Sequence, residues 1–295
     1  MIGIDWGTSS FRAFRLADDG AVLERRSAPR GILSVADGQF ADVVFEFAGD
    51  WLKSGESRIL LSGMIGSRQG WRESQALPCP AGVEDLARAL TPVPFDGARA
   101  FIVPGVTARD AHGIPEFMRG EETQIAGLLP SIGARGLVCL PGTHSKWARI
   151  EDGRVATFTT HMTGEAFAAL SQHTILGRLM KGETDDERAF DRGVARSADA
   201  GGLLHHLFGA RTLVLAGQMP ETGTKSYLSG LLIGHEIRAA LAASPSDDPI
   251  HLAGEANLCR LYAYALGALG KRALVETGDA AVLGLVAIGG LVQWT

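Results

Sequence analysis

Cysteine is scarce: three residues in 295, Cys79, Cys139 and Cys259, lie far apart with no CxxC pair. That spacing argues against a zinc knuckle or a disulfide framework. An odd count with no secretory signal fits a reducing compartment, so a cytoplasmic location is expected. Long hydrophobic runs are absent too, and the stretch near Val282 to Val292 is too short to span a membrane. Lysine and arginine never gather into a block, and the net charge is −5. Nucleic-acid binding needs clustered positive charge, so no nucleic-acid partner is expected. Several catalytic signatures are also missing. No GxGxxG opens a helix after a strand, and neither GxSxG nor HExxH occurs. A P-loop needs GxxxxGK followed by Ser or Thr; the nearest string, Gly217 through Gly223-Thr-Lys-Ser226, is one residue too long and has its lysine displaced by a threonine. The pair His205-His206 sits in a helical stretch without Cys or carboxylate partners at ligand spacing, and reads as surface or packing histidine.

What is present is an ordinary globular composition, 46% hydrophobic and 21% charged, on a chain long enough for two domains. The opening reads as a β-meander, Ile2–Asp5, Phe11–Leu16 and Val22–Ser27, separated by turn residues. Val43, Val44, Phe47 and Trp51 at helical spacing predict a helix over Phe40–Leu52. Strands follow at Arg58–Ser62 and Arg99–Val103, with a Gly-rich loop from Gly63 to Trp71 and a Pro/Gly loop at Pro78–Gly82. The second half repeats the plan. Gly136–Leu140, Lys146–Ile150 and Arg154–Thr160 read as strands, and Gly164–Gln172, Asp186–Ala195 and Ala200–Phe208 as helices. Thr212–Ala216 fits strand or helix. Then come a helix over Ser226–Ala243, a strand at Ile250–Ala253, a helix over Ala256–Leu269, a strand at Ala273–Glu276 and a last helix over Ala280–Val292. The pattern is α/β.

Two turns stand out. Ile4-Asp-Trp-Gly-Thr-Ser9 joins two strands and offers a carboxylate (Asp5), a glycine (Gly7) and hydroxyls (Thr8, Ser9), with Arg12 just beyond. Glycine allows close backbone approach, and successive turn amides make an anion-binding concavity. Leu140-Pro-Gly-Thr-His-Ser-Lys-Trp147 repeats the arrangement, with Gly142, Thr143 and Ser145 as small donors and His144 and Lys146 as cations. Two such hairpins, each opening a similar half, suggest two clamps on one polyphosphate. Between them, Met118-Arg-Gly-Glu-Glu-Thr-Gln124 predicts a helix with an acidic first turn, where Glu121 and Glu122 would also complement the helix dipole.

The order of these motifs resembles the actin/hexokinase/sugar-kinase superfamily, with Leu252-Ala-Gly-Glu-Ala-Asn257 like its adenosine turn and Ala281-Val-Leu-Gly-Leu-Val286 like its last connecting helix. More narrowly, Ile-Asp-Trp-Gly-Thr, Met-Arg-Gly-Glu-Glu-Thr-Gln, Pro-Gly-Thr-His-Ser-Lys-Trp and Ser-Gly-Leu-Leu-Ile-Gly are similar to the 2-dehydro-3-deoxygalactonokinases. The resemblance implies an α/β fold of two ribonuclease-H-like domains with an interdomain ATP cleft. The expected domains are 1–118, sugar-binding, and 119–295, adenosine-binding, with the final helix (about 280–295) packing back at their interface. It implies ATP-dependent phosphorylation of 2-dehydro-3-deoxy-D-galactonate at its terminal hydroxyl, giving the 6-phosphate and ADP in galactonate catabolism.

The roles it implies follow. Asp5 holds Mg²⁺, directly or through water, and Gly7, Thr8 and Ser9 line the γ-phosphate. Gly142, Thr143, His144, Ser145 and Lys146 hold the β/γ region, while Gly254 and Asn257 face the adenosine. Glu122 is the expected base, where the wider superfamily carries an aspartate, and neighbouring Glu121 stays in play. The acceptor is an anion, so Arg68 and Arg12 are the expected carboxylate partners, with Gly66 and Trp71 in the same sugar pocket. A homodimer fits the pattern. Three other readings remain open: a kinase of another sugar or sugar acid such as 2-keto-3-deoxygluconate, an actin-like ATPase, and a silent sugar-binding protein.

Overall fold

The computed structural model describes residues 1–36, 38–181 and 185–294. Its contacts divide the chain into two units. Unit 1 is Met1–Arg135, Arg149–Phe158 and Thr277–Thr295, and unit 2 is Gly136–Ala148 and Thr159–Glu276. The expected boundary at 118/119 falls inside unit 1.

Unit 1 begins with the predicted meander, β1 (Ile2–Trp6), β2 (Phe11–Leu16) and β3 (Val22–Ala28). Helix α1 (Phe40–Lys53), strand β4 (Arg58–Gly63), β5 (Ala76–Pro78), α2 (Val83–Arg88), β6 (Thr91–Val93) and β7 (Arg99–Ile102) follow. The main sheet has the order β3-β2-β1-β4-β7-β6 and is mixed: β1 pairs antiparallel with β2 and parallel with β4. Its core is large and apolar, with Ile2, Ile4, Trp6, Phe11, Trp51, Ile59 and Leu61 almost fully buried. A second sheet of order β5-β8-β9, using β8 (Gly105–Arg109) and β9 (Pro115–Met118), was not foreseen. Its strands are three to five residues long, too short for alternation to announce them. Helix α3 (Glu121–Ile132) completes this stretch.

Unit 2 is built on the sheet β12-β11-β10-β13-β14. Its strands are β10 (Arg135–Leu140), β11 (Ser145–Glu151), β12 (Arg154–His161), β13 (Ile250–Leu252) and β14 (Ala273–Val275). Residues 149–158 of the β11–β12 hairpin group with unit 1. The helices are α4 (Thr163–His173), α5 (Glu187–Arg196), α6 (Gly202–Leu207), α7 (Gly209–Leu215), α8 (Thr224–Ala243) and α9 (Ala256–Ala268). The ambiguous run Thr212–Ala216 is helical as far as Leu215, the end of α7. Chain-terminal α10 (Ala280–Gly289) returns to unit 1 and packs along α3. Glycines allow that approach: a Cβ at Gly284 would lie 1.7 Å from the Thr123 carbonyl oxygen, and one at Gly127 2.4 Å from that of Ala280.

Candidate active site

In unit 1 the end of β1 sets Asp5 beside Arg12 of β2 and Ser62 of β4. Arg12 donates to Asp5 through Nε (3.0 Å) and Nη2, and through Nη1 to Asp279 at 3.0 Å. Burial opposes the charge on Arg12, but Asp5 and Asp279 outweigh it and its pKa is raised. Arg12, expected to meet the acceptor, is thus engaged by two carboxylates of its own chain. The turn beyond β1 is braced from behind. The Gly7 N–H donates to the Ser10 carbonyl (2.9 Å), while the Gly7 carbonyl accepts from the Ile32 N–H (3.0 Å). Thr8 and Ser9 stay exposed.

Glycine geometry joins this turn to α3. Gly63 has φ 97° and Gly120 φ 104°, a region that favours glycine. A Cβ at Gly63 would sit 2.7 Å from the Trp6 carbonyl oxygen and 3.4 Å from Asp5 Oδ1; one at Gly120 would sit 3.2 Å from Gly63 Cα. The ends of β1 and β4 and the start of α3 therefore meet backbone to backbone, and Asp5 and Glu122 share one neighbourhood.

Glu122 is 2% exposed. Its two carboxylate oxygens accept the Gly120 N–H at 2.9 and 2.7 Å, and Oε1 also accepts from Thr123 Oγ1 at 3.1 Å. Thr123 Oγ1 and Ser62 Oγ are 2.6 Å apart. Burial pushes the Glu122 carboxyl up to about 8, with the charge of Glu121 adding to it, while the hydrogen bonds pull the other way. A carboxylate poised near neutrality inside a site suits a general base. Glu121 is half-buried and accepts the Arg119 N–H at 3.0 Å.

The remaining sugar-pocket candidates separate. Arg68 is 87% exposed and pairs with Glu73 at 3.1 Å. Trp71 packs on Phe40 and Phe95 at the edge of the core. Gly66 is buried against Ser74 and Arg119, and a Cβ there would lie 2.5 Å from Ser74 Oγ and 3.3 Å from Arg119 Nη1.

In unit 2 the β10–β11 turn exposes Thr143 and His144, and His144 Nε2 lies 2.5 Å from Glu165 Oε2. The start of α4 braces it: the Glu165 N–H donates to the Thr143 carbonyl (3.0 Å), and a Cβ at Gly164 would sit 2.5 Å from the Gly142 carbonyl oxygen. Lys146 is 4% exposed, with Nζ donating to the His144 carbonyl at 3.4 Å. Ser145 turns inward. A relay runs from the Gly142 N–H to Ser145 Oγ (3.4 Å), to the Tyr262 hydroxyl (3.1 Å), and from that hydroxyl to Glu236 (2.6 Å). Trp147 Nε1 donates to the other Glu236 oxygen at 2.7 Å. Burial and the charge of Glu236 raise the Tyr262 pKa far beyond its usual value, so the phenol stays protonated.

Gly254, at φ 151°, sits beside the same turn; a Cβ would lie 3.2 Å from the Pro141 carbonyl oxygen. Glu255 caps α9, accepting from the Asn257 and Leu258 N–H groups (3.0 and 2.9 Å), which lowers its own pKa. Asn257 is exposed. A cavity of about 380 Å³ opens next to the turn, walled by Gly142, Gly164, Phe167, Lys225, Leu258 and Tyr262 among others, while Gly254 and Asn257 stay outside its wall. Among the described residues no group of three or more His, Cys, Asp or Glu is placed to hold a metal.

The profile of the family described as DGOK, 2-keto-3-deoxy-galactonokinase, matches residues 5–288 of the chain. The chain belongs to this family. A Rhizobium meliloti (strain 1021) protein named "Probable 2-dehydro-3-deoxygalactonokinase" is 38% identical over 285 residues, covering 95% of this chain and 92% of its own. The 2-dehydro-3-deoxygalactonokinase of Escherichia coli (strain K12) is 32% identical over 285 residues, covering 95% and 94%. A solved Sinorhizobium meliloti structure, titled as a putative 2-dehydro-3-deoxygalactonokinase protein, superposes with a TM-score of 0.89 at 36% identity, covering 98% of this chain and 97% of that one. Solved chains at 8 and 10% identity, both with a TM-score of 0.54, share the fold alone.

For a member of the galactonokinase family, the structure adds residues that sequence reasoning passed over. Arg119 lies inside the quoted Met-Arg-Gly-Glu-Glu string, yet its burial could not be read there. Glu236 carried a usable signal: a carboxylate within an apolar run, close to Leu231, Leu232, Ile233 and Ile237, has to find buried partners.

Proposed function

We propose that the chain transfers the γ-phosphoryl group of ATP to the terminal hydroxyl of 2-dehydro-3-deoxy-D-galactonate, giving the 6-phosphate and ADP. The observation that carries this reading is Glu122, a buried carboxyl with its pKa raised to about 8, lodged where β1, β4 and α3 meet. Ionised, it accepts the proton of the acceptor hydroxyl as the new O–P bond forms and the bond from the γ-phosphorus to the ADP oxygen breaks. Phosphoryl transfer otherwise asks for positioning and charge neutralisation.

Gly7 lets the backbone come close where the amides and hydroxyls of Thr8 and Ser9 suit the γ-phosphate, and Gly142 does the same beside Thr143, which with Lys146 suits the β/γ region. In unit 2, the cavity beside Gly142 together with Gly254 and Asn257 serves the nucleoside. Magnesium prefers one or two carboxylates plus phosphate oxygens and water. Asp5, partly accessible beside exposed hydroxyls, fits that donor set without a multi-residue cage. When bound, the ion neutralises charge on the phosphate oxygens.

The product tests the reading. ³¹P and ¹³C NMR of a reaction with ATP and the sugar acid is expected to show a phosphomonoester on C6, formed mole for mole with ADP. ADP formed with inorganic phosphate alone would contradict it and favour an ATPase.

A further inference from the structure

Arg12, Arg68 and Arg119 of unit 1 differ in what neutralises them. Arg12 is held by Asp5 and Asp279, and Arg68 by Glu73. The Arg119 guanidinium is held by neutral groups: Nη1 donates to Ser74 Oγ at 2.5 Å and Nη2 to the Ser74 carbonyl at 2.7 Å. Among the described residues no carboxylate pairs with it. Ser74 is itself 2% exposed and anchored by its N–H to the Gly66 carbonyl at 2.9 Å, so the support is rigid. Two glycines make room for the side chain: a Cβ at Gly66 would lie 3.3 Å, and one at Gly105 3.4 Å, from Nη1. Burial lowers the Arg119 pKa, with the more distant charges of Glu122 and Glu73 acting against it. The guanidinium is half-buried and, among the described residues, has no directly paired carboxylate, so an anion from outside would offset part of its desolvation.

We propose that Arg119 is the residue that reads the carboxylate of the acceptor. Arginine carries five N–H donors in a planar fork, and Ser74 takes two, leaving donors for a carboxylate in bidentate geometry. Arg119 directly precedes Gly120, the residue that caps α3 and binds Glu122, so the fork and the base are set by one short piece of backbone. The class of ligand is therefore a small carboxylic acid that also bears a hydroxyl. This inference rests on the kinase reading and names which cation selects an acid over a neutral sugar.

The test compares the sugar acid with its carboxamide in the wild type, Arg119→Lys and Arg119→Ala, reading KM for acceptor and for ATP separately. A site that loses a polar partner discriminates strongly, so the acid-over-amide preference in kcat/KM is expected to fall by about 100-fold in Arg119→Ala. Arg119→Lys, which keeps the charge but loses the fork, is expected to fall between the two. KM for ATP stays within about twofold in both, since ATP contacts are not removed. If Arg119→Ala does not fold, calorimetric binding of the sugar acid to Arg119→Lys decides instead, with weakened binding expected. Wild-type affinity or an unchanged acid preference in the variants overturns the assignment of Arg119. A wild type that phosphorylates no sugar acid overturns the kinase reading itself.

Discussion

With its carboxyl pushed up to about 8 by burial, Glu122 is mostly protonated at neutral pH and has to ionise before it can take a proton. Its pKa of about 8 therefore gives the pH profile a sign: kcat/KM is expected to rise as pH passes through about 8 and to level off above it. Glu122→Gln keeps the shape but cannot accept the proton, so turnover is expected to drop by about 10²–10⁴-fold in a coupled ADP assay. Turnover near wild type would move the role to Glu121. The same group makes a stability prediction with the opposite slope. The folded carboxyl titrates above the unfolded one, so between the two values the folded state binds more protons and stability falls as pH rises. Its contribution is complete below the unfolded value near 4.5 and lost above about 8. Thermal melts are expected to show Glu122→Gln gaining on the wild type as pH goes from 6 to 9. Parallel curves would contradict the raised pKa. Asp5, Glu122 and the two turns were legible as residue types at set spacings. What Arg12 and Arg119 face was not, because ion pairing depends on residues as far away as Asp279.

At the scale of elements, helix placement rests on contacts that sequence pattern cannot announce. The meander, α1, α8 and α9 were legible because their apolar residues alternate or recur at helical spacing. The sheet β5-β8-β9 was not, since its short strands are defined by pairing partners. Nor does a glycine reveal what it will touch. Gly284→Ala is expected to push α10 from the Thr123 carbonyl, one residue from Glu122, costing about 1–3 kcal/mol as overpacking does. Melting and activity measured together check this, and both should fall; an unchanged melt would mean α10 does not press on α3 as described. In unit 2 the relay from Gly142 through Ser145 and Tyr262 to Glu236 ties a turn to two helices. Tyr262→Phe leaves Glu236 short of one buried hydrogen bond, an expected loss of about 1–3 kcal/mol. It also frees Ser145, so ATP KM should rise while acceptor KM stays put. Steady-state kinetics with each substrate varied in turn checks that split.

Across the whole molecule, the order of motifs was the most legible property, because each motif is a short local string and their sequence along the chain is visible directly. The way contacts partition the chain was not: α3 and α10 group with the first hundred residues, and residues 149–158 join them. A chain of net charge −5 that handles two anionic substrates must concentrate positive charge locally, which makes the acceptor the decisive question. The measurement that bears most directly on it is ADP formation by the wild type across 2-dehydro-3-deoxygalactonate, 2-keto-3-deoxygluconate, neutral sugars and no acceptor. ADP release is expected to depend strictly on acceptor and to be fastest with 2-dehydro-3-deoxygalactonate. Equal release without acceptor, or with neutral sugars alone, would contradict it.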